Sequence, residues 1–174
     1  MVEEMVILVD NEDNQIGLMP KMEAHEKAQL HRAFSVFVFN DVGELLLQQR
    51  AADKYHSPLL WANTCCSHQR DGETNLTAGQ RRLREEMGFV CALKEVFWFV
   101  YKAPFDNGLT EHELDHVLVG KFNGKPAINV AEVAAYKWMS LEAVKLDMYN
   151  NSEKYTEWFK IIFNEYYHRI IEAK

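Results

Sequence analysis

No stretch of this 174-residue chain approaches the roughly 18 consecutive apolar residues of a membrane helix. Its start, Met-Val-Glu-Glu, lacks the basic opening of a signal peptide. A cytoplasmic protein with no membrane partner is therefore expected. Cysteine is scarce: Cys65, Cys66 and Cys91 are an odd number with two adjacent, a poor disulfide framework, and all three are expected to be reduced. Positive charge is in short supply as well, 19 Lys plus Arg against 26 Asp plus Glu, and the net charge of -7 gives no global field for DNA, RNA or an anionic membrane. An anionic ligand must then be met by a local cationic pocket. The 4 prolines are scattered and no repeat or Pro/Gly/Ser-rich linker interrupts the chain, so one domain over 1–174 is expected. What is present, 48% apolar and 26% charged residues, is an ordinary globular composition with room for a sizeable core.

Val6 to Val9 reads as a strand closed by a polar turn, and Phe34 to Phe39 with Glu44 to Gln49 as a hairpin about Asn40-Asp41-Val42-Gly43. Two further strands are expected at Val96 to Tyr101 and Glu113 to Phe122. Leu76, Leu83 and Met87 space a helix over Leu76 to Met87, with Asn75 able to cap its start and Gly88 its end. Ser140 can cap a short helix over Leu141 to Met148, and from Ser152 the residues Trp158, Phe159, Ile162, Phe163, Tyr166 and Ile170 repeat as an amphipathic C-terminal helix. This order predicts an α/β or α+β sandwich.

Within Ser67 to Phe89, the residues Glu73, Arg81, Leu83, Glu85, Glu86, Gly88 and Phe89 resemble the Nudix box, which sets carboxylates on a helix so that hard oxygens can hold a divalent ion against a diphosphate. Two positions depart from it: Ser67 stands for a glycine and Arg82 for a glutamate of the hydrolases' metal cluster. The second departure inverts a charge at the reacting centre and argues against ordinary Nudix hydrolysis. Read for spacing alone, the pairs Arg81 with Glu85 and Arg82 with Glu86 also fit a solvated helix face.

The flanks favour chemistry. Trp61-Ala62-Asn63-Thr64-Cys65-Cys66-Ser67-His68 resembles the Trp-x-Asn-x-x-Cys-x-His segment of type I isopentenyl-diphosphate isomerases, which belong to the Nudix superfamily. The resemblance runs from Val6-Ile7-Leu8 to the C-terminal helix and implies a Nudix-type mixed β-sheet sandwiched between helices. It implies Cys66 and Glu113 as acid/base groups, Tyr101 assisting Glu113, and Trp158 facing a transient cation. It implies that His25, His31, His68, Glu111 and Glu113 hold Mn2+ or Zn2+, and that Glu86 and the Cys66 carbonyl hold Mg2+. Lys21, Arg50, Lys54 and Arg82 match its diphosphate-binding cations. The implied reaction is a 1,3-allylic proton shift interconverting isopentenyl and dimethylallyl diphosphate, in a monomer or homodimer.

Some of this stands without the resemblance. Glu111 and Glu113, two apart on an extended strand, share a face about 7 Å apart and can approach one ion. His25 and His31, six apart, are not on one helical face and converge only through a loop. His112 and His116 fall on the other alternation and receive no role, while His56 and His168 are expected on the surface. Two rivals remain: a hydrolase of nucleoside diphosphate derivatives on the same fold, and a non-catalytic module holding a structural zinc. Arg82 and the Cys66/His68 pair argue against the first; the second gives no reason to gather Cys66, Glu113, Tyr101 and Trp158.

Overall fold

In the computed structural model, which describes residues 4–174, Met5–Val9 (β1) and Gln15–Pro20 (β2) form an antiparallel pair that leads into the short helix Lys21–Glu26 (α1). Met1 to Glu3, part of the chain start considered above, lie outside the described residues. The Val- and Phe-rich run His31–Phe39 (β3) is buried on both faces, as the near-continuous apolar pattern of a central strand requires. Glu44–Arg50 (β4), Trp61–Ala62 (β5) and Cys65–Ser67 (β6) follow, then the helix Asn75–Arg82 (α2) with a π-helical turn at Leu83–Met87. Two long strands, Leu93–Pro104 (β7) and Thr110–Lys121 (β8), pair antiparallel. Val133–Ser140 (β9), Leu141–Asn150 (α3), Glu157–Glu165 (α4) and Tyr167–Ala173 (α5) complete the order.

β3 organises the sheet. One of its edges carries β8, parallel, from His31 opposite Glu113 to Phe39 opposite Lys121. Its other edge is divided among β1 at His31, β6 at Phe34 to Val36, and β4 at Phe39. The expected hairpin of β3 and β4 is therefore reduced to the single pair Phe39 with Leu45, and β4 finds its full-length partner in β9. One face of the sheet packs Phe34, Val36 and Leu118 on Ala78, Leu83 and Met87 of α2 and the π turn. The other packs Phe37, Phe39 and Val117 on Val144, Trp158, Phe159 and Ile162 of α3 and α4. The expected sandwich of a mixed sheet between helices is what forms.

Local details differ from the sequence expectation. Thr74, not Asn75, caps α2: its side chain accepts from the Thr77 amide while Thr77 Oγ1 accepts from the Thr74 amide, a reciprocal box that satisfies two end donors at once. Asn75 bonds Gln69 and Glu95 instead. The helix expected to continue to Met87 widens at Leu83 into the π turn that carries Glu85 and Glu86, a distortion common at functional sites. Gly88, at φ 73°, ends it as expected. The C-terminal helix begins at Glu157, because Thr156 is drawn out by an amide bond to the Trp61 carbonyl, and it breaks at Tyr166, whose ring packs 5.0 Å from Phe97 and 4.9 Å from Phe99. No helix among the described residues is long and apolar enough to cross a membrane.

Candidate active site

Strand register does most of the assembly. Tyr101 of β7 lies opposite Glu113 of β8, and Glu113 lies opposite His31 of β3, so three chemically active residues stand in one row across three strands. Two positions further along the same face of β3, Ser35 stands opposite Cys66 of β6. Because β6 is extended, its two cysteines point to opposite faces. Cys65 is fully buried against α2, and Cys66, half-buried, opens onto a cleft of about 850 Å³. Lys21, Arg50, Lys54, Arg82, Glu86, Glu111, Glu113, Tyr101, His68 and Trp158 line the same cleft. His25 and His31 sit beneath it, both 0% exposed.

His25 comes from α1 and His31 from the first residue of β3, joined by the turn that the six-residue spacing demanded; their rings are 4.9 Å apart. His25 Nδ1 donates to the Lys21 carbonyl at 2.7 Å and His31 Nδ1 to the Gln29 carbonyl at 2.8 Å. Each backbone bond fixes the tautomer and leaves Nε2 with a lone pair, as in histidines that bind a metal through one nitrogen while the other donates to a carbonyl. Among the described residues those two Nε2 atoms are buried with no hydrogen-bond partner, and Nε2 of His68 converges with them on Glu113 Oε1, at 3.1 Å. Such orphaned acceptors are expensive unless something fills the space between them. His25, His31, His68 and Glu113 bring ligand atoms within 4.8 Å of one another, so the residues present fit a divalent metal. Glu111 does not join that quartet; its carboxylate gathers with His25 and His56. The expectation that His56 lies on the surface is corrected: it is 5% exposed, with Nε2 3.2 Å from Glu111 Oε1. His168 is exposed, as expected, and His116 is buried in a structural bridge between Asp13 and Glu95.

Burial pushes the imidazoles toward their neutral form, His68 down to about 4 and His56 to about 3. Glu113 goes the other way from its neighbour. Burial alone would raise it, but the imidazoles of His31 and His68, with Nε2 3.4 and 3.1 Å from its Oε1, outweigh that and hold it well below the usual carboxylate range. Burial, then the charge of Glu113, lifts Glu111 well above it. The Tyr101 hydroxyl lies 2.7 Å from Glu113 Oε2 and 3.0 Å from Glu111 Oε2, so its one proton serves one oxygen at a time. Cys66 is pushed up by burial and stays a neutral thiol.

The cationic rim is already partnered. Lys21 pairs with Glu4 at 3.1 Å, Lys54 with Glu132, and Arg82 with Glu85 at 2.7 Å, Glu86 at 2.5 Å and Glu132 at 3.4 Å. Arg50 has no carboxylate partner among the described residues; its guanidinium lies 5.2 Å over the Trp158 ring, and the Trp158 indole donates to Asn63 Oδ1 at 3.1 Å. Gln48 donates to Glu86 Oε2 and to the Thr64 carbonyl, both at 2.8 Å, fixing a carboxylate that is 4% exposed. Sequence reasoning missed His56, Gln48, Glu4 and Glu132. Only His56 carried a signal, as a histidine two residues after Lys54, because loop residues have no periodicity to reveal which way they face.

Cys65, Cys66 and Tyr101 are all held above their ordinary values of 9.0 and 10.0, each mainly by burial. A group that binds its proton more tightly when folded contributes stability that is complete below its unfolded pKa and is lost as pH rises beyond it. The unfolding free energy of the metal-free chain is therefore expected to fall from about pH 9 upward, by as much as ~1.4 kcal/mol per pH unit for each group, and the urea midpoint to fall with it. A midpoint unchanged to about pH 11 contradicts this assignment of buried neutral thiols and phenol.

Residues 29–159 match the NUDIX domain family. The chain is 50% identical over 171 residues to isopentenyl-diphosphate Delta-isomerase 2 of Photorhabdus laumondii, covering 98% of this chain and 97% of that protein. It is 48% identical to the isopentenyl-diphosphate Delta-isomerase of Serratia proteamaculans, covering 94% and 92%, and 51% identical to that of Burkholderia multivorans, covering 91% and 90%. Its fold is similar to that of a Deinococcus radiodurans protein of known structure, with a TM-score of 0.70 at 20% identity over 85% of this chain and 90% of that one. A MutT protein from Methanosarcina mazei gives 0.66 at 18% identity over 83% and 96%. Identity at this level along almost the whole chain, on a Nudix fold, means that the chain belongs to the isopentenyl-diphosphate Delta-isomerase family of the Nudix superfamily.

Proposed function

We propose that this chain, as a single domain over 1–174, interconverts isopentenyl and dimethylallyl diphosphate by protonation and deprotonation. The observation that carries the reading is one cleft onto which a neutral thiol, Cys66, and an ionised carboxylate, Glu113, both open. A 1,3-proton shift needs one group that holds a proton and one that lacks it. A proton is added to the terminal alkene carbon, the double-bond electrons form that C–H bond, and a tertiary cation is left at the next carbon. Loss of a proton from the carbon nearer the diphosphate returns an electron pair to make the new double bond. Cys66 and Glu113 exchange roles in the reverse direction, so each is acid in one and base in the other. Tyr101, 2.7 Å from Glu113, helps carry the proton there. The buried Trp158 ring offers a π face to the cation, and the apolar packing behind it keeps out water that would trap the cation.

His25, His31, His68 and Glu113, with Glu111 as a fifth ligand reached through the shared His25, would hold zinc or manganese, whose charge would fix and tune Glu113; Glu86 and the Cys66 carbonyl would hold magnesium, whose charge would offset the diphosphate. Lys21, Arg50, Lys54 and Arg82 bind the diphosphate, Glu4 and Glu132 serving as counter-charges for three of them before it arrives. Cations gathered in one cleft of an otherwise acidic chain suit a cytoplasmic enzyme of a small anionic molecule.

Incubating purified protein and metals with isopentenyl diphosphate tests the reading. Dimethylallyl diphosphate without released phosphate is expected; released phosphate means a hydrolase, and no product at all means a non-catalytic module. Arg82→Glu, which restores the hydrolase-type box, is expected to raise KM for the diphosphate about tenfold or more, the loss of a charge-assisted hydrogen bond worth roughly 1.5–3 kcal/mol. The new carboxylate would also face Glu85, Glu86 and Glu132, all now paired with Arg82. Brisk hydrolysis of nucleoside diphosphate derivatives by that variant, with KM unchanged, would mean that Arg82 is not a phosphate contact.

A further inference from the structure

His56 lies outside the five-residue ligand set, yet the chain holds it against the centre. Its ring stacks on Phe105 at 4.7 Å and 12° and meets the edges of Tyr55 and Trp158 at 4.4 and 5.9 Å. Arg50 donates to its carbonyl at 3.2 Å. The segment that follows is strained: Ser57 and Leu59 have φ of 50° and 60°, values that non-glycine residues adopt only when the surroundings impose them. Backbone strain, aromatic clamping and burial together aim one nitrogen of His56 inward.

Nε2 of His56 lies 3.2 Å from Glu111 Oε1, without the alignment of a hydrogen bond. Nε2 of His31 stands 3.4 Å from Glu113 Oε1 in the same manner. Adjacent donors on one ion, each about 2.0–2.2 Å from it, are separated by about 3–3.5 Å. His25, whose Nε2 has no hydrogen-bond partner among the described residues, has its ligand atom within 4.8 Å of those of both His56 and Glu111. His56 Nδ1 is 3.3 Å from the Ser57 hydroxyl, a partner for the N–H that a ligand bound through Nε2 must carry on its other nitrogen. We propose that His56 is itself a ligand of the divalent-metal centre, entering on the Glu111 side and making the nitrogen donors four imidazoles. The proposal rests on the metal-centre reading above and adds a donor to it.

Nitrogen-15 histidine labelling of the wild-type chain tests it without any mutation. After loading with Zn2+, long-range proton–nitrogen spectra separate metal-bound ring nitrogens from free ones. Of the 7 histidines, His25, His31, His56 and His68 are expected to show a metal-shifted nitrogen. Shifts at only His25, His31 and His68 would overturn the role of His56 while leaving the centre intact. No shifted histidine would overturn the centre and this proposal with it. His56→Gln supplies the second readout, because its amide can hydrogen-bond Glu111 but cannot replace an imidazole ligand. The variant is expected to bind Zn2+ more than about tenfold more weakly in chelator competition. Wild-type affinity in His56→Gln would reduce His56 to a hydrogen-bonding neighbour and overturn the proposal.

Discussion

Cys66→Ala and Glu113→Gln are each expected to lower isomerisation about 100- to 10,000-fold, the usual contribution of a general acid or base, while leaving the fold in place. Glu113→Gln is isosteric, and Cys66→Ala removes a single heavy atom. Cys66 is half-buried at the cleft wall, so losing its sulfur opens space to solvent and not a sealed cavity. In Glu113→Gln the amide keeps an oxygen for the Tyr101 hydroxyl but cannot take a proton, and the charge that His31 and His68 now approach at 3.4 and 3.1 Å is gone. Turnover of purified variants, read beside their circular dichroism and melting curves, is the measurement. Because the two groups act on one proton shift, the double variant should be little worse than either single one. Near wild-type turnover in either single variant would remove the acid/base assignment. Cys65→Ala is the control. That thiol faces α2 and not the cleft, so the change should lower stability and keep most activity.

Stripping the metal is expected to have an effect of similar size: activity is lost on thorough chelation and returns when zinc or manganese is restored together with magnesium. The Nε2 atoms of His25 and His31, unpartnered among the described residues, predict a second consequence. A ligand that binds only the folded chain stabilises it, by ~4 kcal/mol at a thousand times its dissociation constant, so the melting temperature should rise on loading. His25→Ala and His68→Ala should lower metal content and turnover together, whereas Glu86→Gln should mainly raise the magnesium requirement. Protons compete for the same nitrogens. Since burial lowers His68 to about 4, metal should persist below the pH of about 6.5 at which a free imidazole is half protonated and be released closer to pH 4. Elemental analysis across that range checks it. Full turnover in rigorously metal-free protein would return these histidines to a packing role.

The chain's local chemistry was legible from residue order. Strands and helices follow apolar periodicity, and the box from Glu73 to Phe89 and the Trp61 to His68 segment are contiguous, so spacing alone exposes them. Gly88 and Ser140 acted as the stop and start signals their conformations imply. Even the turn between His25 and His31 follows from six residues not fitting one helical face. Which carboxylate faces which histidine was not legible. That depends on the pairing of β3 with β8, strands some eighty residues apart, and a shift by one residue would send Glu113 to the opposite face of the sheet. The division of the β3 edge among three strands, which brings Cys66 onto the same face as that row and shortens the expected hairpin to one pair, likewise arises from competition for hydrogen bonds along a single edge. Glu111 parts from the quartet and joins His56 because a loop with two left-handed residues turns that histidine inward, and loop direction leaves no periodic trace. Sequence thus determined which chemical groups the protein carries and the elements that bear them. Tertiary structure decided which of those groups meet, because long-range register and loop path are set by packing and edge pairing, not by nearest neighbours in the chain.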